Sequence, residues 1–194
     1  MVTHLNAHLI GRQGARRDLN TPALVVDLGA LERNIDAMAA FARRAGIGLR
    51  PHAKTHKSVE IARRQVAAGA VGVCCAKLGE AEALADGGVE NILITSPVVG
   101  TEAVARLAAL SVRSPGLMAA TDHPDAVDAL AATGAALTLL VDIDPGIHRT
   151  GVADPDAAVA LAGRIAQAPS LTFAGVQFYC GMQQHIEDFA ARRG

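Results

Sequence analysis

Lys54 stands between two histidines in the run Arg50-Pro51-His52-Ala53-Lys54-Thr55-His56-Lys57, after the apolar segment Ile47-Gly48-Leu49 and before an amphipathic helix. On a strand, side chains alternate, so Arg50, His52, Lys54 and His56 are expected on one face. Four basic groups on a buried strand face are costly unless an anion neutralises them. An anionic cofactor bearing a carbonyl would do so, and a lysine held among cations away from water is a competent amine nucleophile toward it. The plainer reading of Lys54 is a surface lysine at a strand end. Alternation places it inward, where lysines are rarely left unpaired; Lys57, of opposite parity, is assigned to solvent. His52 and His56 are four apart, a spacing that suits metal ligation on a helix, but Pro51 and the apolar run argue against a helix here. As groups that titrate near neutral pH they are better read as proton carriers or cofactor neighbours. His56 is therefore a catalytic candidate beside Lys54.

Two further clusters carry reactive side chains. The run Asp142-Ile143-Asp144-Pro145-Gly146-Ile147-His148-Arg149-Thr150-Gly151 is a loop by its Pro-Gly pair. Its Asp, His and Arg side chains would also suit it to holding a phenolate or carboxylate. The second cluster is Gln177-Phe178-Tyr179-Cys180-Gly181, with Gln183, Gln184 and His185 just beyond. Tyr179 is the only tyrosine of the chain. Its ring either plugs the end of the fold or packs against a planar cofactor. Cys180 reads as a small apolar filler, and the adjacent Cys74 and Cys75 as core residues of one strand. Three cysteines without framework spacing argue against a disulfide scaffold and fit a reducing cytoplasm.

These side chains need elements to hold them, and periodicity supplies a monotonous alternation. Asp27 caps a helix over about 28–45, with Leu31, Ile35, Met38 and Phe41 on one stripe and Gly46 closing it. Strands are expected at about 47–54, 71–76, 91–95, 116–120, 136–142 and 171–179. Helices follow them at about 58–68, 79–85, 101–111, 124–133, 154–167 and 186–193. Strands apolar on both faces, each followed by a helix, indicate a parallel sheet covered by helices. No glycine-rich turn follows the first strand, and polar residues gather at the C-terminal strand ends: Thr55/His56, Lys77, Thr95/Ser96, Thr121/Asp122, Asp142/Asp144 and Gln177/Tyr179. That is the pattern of a (β/α)8 TIM-type barrel rather than of an open doubly wound sheet.

A complete barrel takes roughly 250 residues; this chain has 194 and about six strand–helix units. It reads as an incomplete barrel over 21–194 behind an N-terminal arm over 1–20, the N-terminal part of a longer protein. With 51% hydrophobic and 19% charged residues it can bury a sizeable core. A formal net charge of -1 without long single-sign blocks argues against nucleic acid or an anionic membrane as the main partner. No apolar run reaches the length of a membrane span. Arg12, Arg16, Arg17 and Asp18 interrupt any secretory signal.

Taken together, Pro51–Lys57, Asp142–Gly151 and Gly175–Gly181, with Thr21-Pro22-Ala23-Leu24-Val25-Val26-Asp27 and Gly79-Glu80-Ala81-Glu82, resemble the D-threonine aldolase and D-serine dehydratase family. These are fold-type III pyridoxal-phosphate enzymes related to alanine racemase, and the resemblance covers about residues 19–185 in order. It implies a pyridoxal 5'-phosphate-dependent lyase of D-3-hydroxy amino acids, D-threonine aldolase-like, giving glycine and an aldehyde. D-serine dehydration, amino-acid racemisation and a non-catalytic pyridoxal-phosphate-binding barrel are the alternatives within reach. By the same resemblance, Lys54 bonds covalently to the cofactor aldehyde, Arg149 hydrogen-bonds its phenolic oxygen and Tyr179 packs against its ring. His56 and Gln177 lie near the site. The family's divalent metal is held by a C-terminal β-domain absent from this chain, so no metal ligand is assigned. Its members are commonly homodimers acting on small D-amino acids, which the resemblance carries here as an expectation. From another class, a metal-dependent barrel hydrolase built on His52, His56, His185 and Asp142 predicts bound metal and no covalent bond to lysine.

Overall fold

Asp27 accepts the Ala30 N–H at 2.8 Å, and helix α1 (Leu28–Ala45) runs from that cap until Gly46, in the left-handed region at φ 65°, turns the chain out. The computed structural model describes residues 5–193. After α1 come α2 (Val59–Ala67), β1 (Val73–Cys75), α3 (Leu78–Asp86), β2 (Ile92–Ile94) and α4 (Thr101–Arg113). Then follow β3 (Met118–Thr121), α5 (Pro124–Ala132), β4 (Leu137–Asp142), α6 (Pro155–Gln167), β5 (Leu171–Gln177) and the short α7 (Phe189–Arg193). The strands form one sheet in the order β1-β2-β3-β4-β5, every pair parallel. A helix between each pair is what a parallel crossover requires.

Register sorts the strand residues into two faces. Cys75, Ile94, Ala119 and Leu139 lie side by side across β1 to β4, and all four are buried against the helices. Leu107 and Leu110 of α4, Leu130 of α5 and Ile165 of α6 complete that layer. The intervening row, Cys74, Leu93, Met118 and Thr138, faces the other way. One hydrogen bond shows that this second face is concave: Gln177 Nε2, at the end of β5, donates to the Thr95 carbonyl just past β2 at 2.8 Å. In a flat sheet three strand spacings would hold those strands roughly 14 Å apart. The sheet is therefore curled, as the wall of an incomplete TIM-type barrel, with its helices outside.

Two expectations need correction. The strand read over 47–54 does not form as a regular strand, leaving five. Leu49 and Pro51 carbonyls accept the Val71 and Cys74 N–H groups at 2.9 and 2.7 Å, and His52 makes a single parallel bridge to Cys74. The chain then tightens into a 3-10 turn over Ala53–Thr55. Pro51 has no N–H to give a ladder, and Thr55 Oγ1 donates to the His52 carbonyl at 3.1 Å, which holds the turn instead. The common face of Arg50, His52, Lys54 and His56 is lost with it: Arg50 donates to the Asn91 carbonyl at the opposite, N-terminal end of β2. The second correction is at the end of the chain, where the helix expected over 186–193 is shorter, forming only as α7 (Phe189–Arg193) after a 3-10 turn at Gly181–His185.

Cys74, Cys75 and Cys180 carry free thiols. Cys75 is fully buried, and burial, with Glu80 and Cys74 nearby, pushes its thiol up to about 12. Among the described residues no helix is long and apolar enough to cross a membrane.

Candidate active site

The β4–α6 loop is built around one carboxylate. Asp144 Oδ1 accepts the N–H groups of Gly146, Ile147 and His148 at 2.9, 2.8 and 3.0 Å, and its Oδ2 meets His148 Nδ1 at 2.9 Å. The His148 N–H above all holds the Asp144 carboxyl below the ordinary carboxylate range, against an opposing effect of burial. The loop's far end is tied down too. Gly151 N–H donates to Asp122 Oδ2 at 3.0 Å, and Ile143 and Val152 form a parallel bridge. Gly151 sits at φ 104°, and a Cβ there would collide with the Asp144 backbone. A loop closed in this way presents Arg149 at its crest.

Tyr179 reaches the same place by a different device. In β5 the register slips by one between Leu139 and Leu140: Leu139 pairs with Phe173, but Leu140 pairs with Gly175. Ala174 is thus the extra residue of a β-bulge, with Gly175 at φ 131°. The slip turns Gln177 to the concave face, opposite Asp142, and leaves Phe173 and Val176 on the outer one. Two residues on, the Tyr179 hydroxyl accepts a hydrogen bond from Gln184 Nε2 at 3.1 Å. Gly181 lies under the ring, where a Cβ would stand 2.5 Å from the Tyr179 Cε1.

Lys54, Arg149 and Tyr179 converge. Lys54 Nζ lies 5.6 Å and Arg149 Cζ 5.0 Å from the centroid of the Tyr179 ring. All three residues are exposed at the open rim, so the amine is not the desolvated one expected from alternation. Among the described residues neither cation has a carboxylate partner; every salt bridge lies elsewhere. Lys57 does have one, Glu80 at 3.2 Å, with its side chain 67% exposed. Burial opposes ionisation of Glu80, but the N–H groups of Ala76 and Lys77 and the Lys57 ammonium outweigh it and lower its pKa.

Beneath the rim lies a polar layer that sequence reasoning did not assemble. Gln177 Nε2 donates to Thr95 O and, at 3.0 Å, to Oδ1 of Asp142, which is only 4% exposed. Thr95 Oγ1 donates to the Cys75 carbonyl at 3.1 Å and lies 3.3 Å from His52 Nε2. Thr95 and Asp142 had a signal, since each sits at a strand's C-terminal end, but nothing in the sequence says which strand ends touch or that His52 reaches them.

His56 is not hydrogen-bonded to Lys54. Its Nδ1 accepts the Ser58 N–H at 3.0 Å, and its Nε2 is buried without a partner. Burial, partly offset by Gln65 and the Ser58 bond, lowers its pKa. His185 lies on the exposed 3-10 turn after Tyr179. Among the described residues no group of three or more His, Cys, Asp or Glu could hold a metal ion.

An amine and a guanidinium without counter-ions, facing one aromatic ring, suit a planar anion with a carbonyl and an acidic phenol. Pyridoxal phosphate has that chemistry: the amine can bond its aldehyde, the guanidinium can meet its phenolate and the ring can stack.

The family model for the alanine racemase N-terminal domain matches residues 26–192. A 3-hydroxy-D-aspartate aldolase of Paracoccus denitrificans is 40% identical over 181 residues, covering 91% of this chain and 47% of that protein. A D-threonine aldolase of Arthrobacter sp is 40% identical over 171 residues, covering 86% of this chain and 45% of the relative. The crystal structure of D-threonine aldolase from Filomicrobium marinum matches with a TM-score of 0.86 at 44% identity, over 91% of this chain and 48% of that one. The chain spans about half the length of the curated relatives it matches.

Proposed function

The chain belongs to the alanine racemase N-terminal domain family, and from that premise we propose that it is the cofactor-binding part of a pyridoxal-phosphate-dependent lyase acting on D-3-hydroxy amino acids. The reaction is the retro-aldol cleavage of Cα–Cβ, giving glycine and an aldehyde. It is redox-neutral: the β-hydroxyl loses a proton and the α-carbon gains one. The observation that carries the reading is the meeting of Lys54 Nζ and Arg149 over the Tyr179 ring, from three stretches far apart in sequence.

Lys54 would hold the cofactor through its ε-amine, with Arg149 at the phenolic oxygen and Tyr179 against the ring. Bound there, pyridoxal phosphate supplies an electron sink for the bonds at the substrate's α-carbon. Arg149 would set its guanidinium fork at that oxygen. Tyr179 is held flat by Gly181 beneath it and by the Gln184 bond at its hydroxyl. Gln177, locked to Asp142 and Thr95, forms the polar floor of the bowl. The divalent metal that the resemblance carries would be held by the further domain that the same resemblance implies.

Purified chain with added pyridoxal phosphate is expected to develop a visible absorbance band that Lys54→Ala abolishes and Lys57→Ala keeps. An unchanged band in Lys54→Ala sinks the lysine assignment. D-threonine added to the loaded protein, with the further domain and a divalent metal supplied, is expected to release glycine and acetaldehyde. Release of a keto acid and ammonia would instead identify a dehydratase, and a band without turnover a non-catalytic binding barrel.

A further inference from the structure

The hydrogen bonds under Lys54 run in one direction, because every chain of them ends on a group that can only accept. Both hydrogens of the Gln177 amide are taken, one by the Thr95 carbonyl and one by the Asp142 carboxylate. The Thr95 hydroxyl gives its hydrogen to the Cys75 carbonyl. Thr95 Oγ1 can then only accept from the ring nitrogen 3.3 Å away, so His52 Nε2 carries the proton. In a neutral ring that leaves Nδ1 bare, and Nδ1 is the atom that receives the Lys54 backbone N–H, at 3.4 Å. This last bond is long, and the turn also relies on Thr55 Oγ1 to His52 O and on the His56 N–H to Ala53 O at 3.2 Å. An N–H on Nδ1 would set two donors against each other at the root of the Lys54 turn.

We propose that His52, fixed as its Nε2–H tautomer by Thr95, is a positioning residue for Lys54, setting through Nδ1 where the ε-amine emerges at the rim. The role rests on the reading of Lys54 as the cofactor lysine. Burial and the Lys54 charge both lower the proton affinity of His52, and the opposing pull of Glu80 and the Cys74 carbonyl does not reverse it, which favours the neutral ring at neutral pH. Asp142 acts two bonds further off, by orienting the Gln177 amide that braces the Thr95 backbone.

Nitrogen NMR of the histidine rings, on the chain without cofactor at neutral pH, reads the tautomer directly. His52 is expected to show a bare Nδ1 and a protonated Nε2; an Nδ1–H or doubly protonated ring overturns the proposal. That readout does not depend on whether Lys54 binds a cofactor. Two variants then separate the two nitrogens, since the Asn amide oxygen reaches the Nδ1 position and the Gln amide nitrogen the Nε2 position. With pyridoxal phosphate added, His52→Asn is expected to retain most of the affinity. His52→Gln is expected to lose about tenfold, the effect of one hydrogen bond. Thr95→Ser should follow the first and Thr95→Val the second, which preserves the comparison should a His52 variant not fold. Equal losses in both members of each pair, or none in either, would show a merely structural ring. If the parent binds no cofactor, the reading of Lys54 fails, and the ring nitrogens alone decide the tautomer.

Discussion

His52 and His56 differ in what they touch but share one thermodynamic consequence. Burial lowers the pKa of both below the usual 6.5, so over the interval between folded and unfolded values the unfolded chain binds more protons. Stability therefore rises with pH across that interval. The contribution is fully present above about pH 6.5 and is lost as pH falls through the folded values. Glu80 works in a lower window. Its folded pKa lies below the usual 4.5, so its contribution is full above about pH 4.5 and goes on further acidification. Urea midpoints measured from pH 8 to pH 3 are thus expected to fall in two stages. His56→Gln, which removes one titrating ring, should shrink the first stage and leave the second. A midpoint that stays level between pH 7 and pH 5 contradicts the buried, neutral histidines.

The β5 bulge shows how an element can decide a site that its residues only decorate. Without the extra residue at Ala174, the parity of β5 would turn Gln177 outward, away from Asp142. Gly175 makes the slip at φ 131°, a region in which a β-branched residue is strained by about 1–3 kcal/mol. Gly175→Val is expected to lower unfolding stability by that amount and to abolish the cofactor band. Gly163→Ala, inside α6 with open space around it, should instead gain about 0.5–1 kcal/mol. Parent-like stability and cofactor binding in Gly175→Val would mean that the bulge does not aim the site. Much of this element scale was legible. Asp27 and Gly46 bound α1 at both expected ends, and β4 and α6 lie within a residue of their expected ranges. What periodicity could not give is where alternation stops. A glycine inside the run Phe173-Ala174-Gly175-Val176 was the one sign of a bulge, and Pro51 the one sign that the lysine segment leaves the ladder. The meeting of Lys54, Arg149 and Tyr179 follows from strand order in a curled sheet, whereas the contacts among Thr95, Gln177, Asp142 and His52 depend on how tightly that sheet curls.

Across the whole molecule, burial is lopsided. The layer between the outer face of β1–β4 and α3–α6 is closed, and Ile92, Ile94, Leu107, Leu139 and Ile165 are fully buried in it. On β5 only Leu171 is buried, and Phe173 and Val176 of the outer face are open. The Gln177–Thr95 bond is the brace that carries β5 across the bowl to the closed half. Stability should therefore reside in β1–β4 and their helices, with β5 held on by pairing to β4 and by that brace. Leu139, at 0% exposure, tests the closed half. Leu139→Ala removes a side chain packed on all sides and is expected to cost about 2–5 kcal/mol, a large share of the roughly 5–15 kcal/mol that stabilises a domain. Val176, at 51% exposure, tests the open half; Val176→Ala should stay within about 0.5 kcal/mol. Urea unfolding of both variants measures the contrast, and amide exchange should show β2, β3 and β4 opening last and β5 first. A Val176→Ala loss as large as that of Leu139→Ala would mean that the outer face of β5 is covered in solution, and the lopsided account would fall.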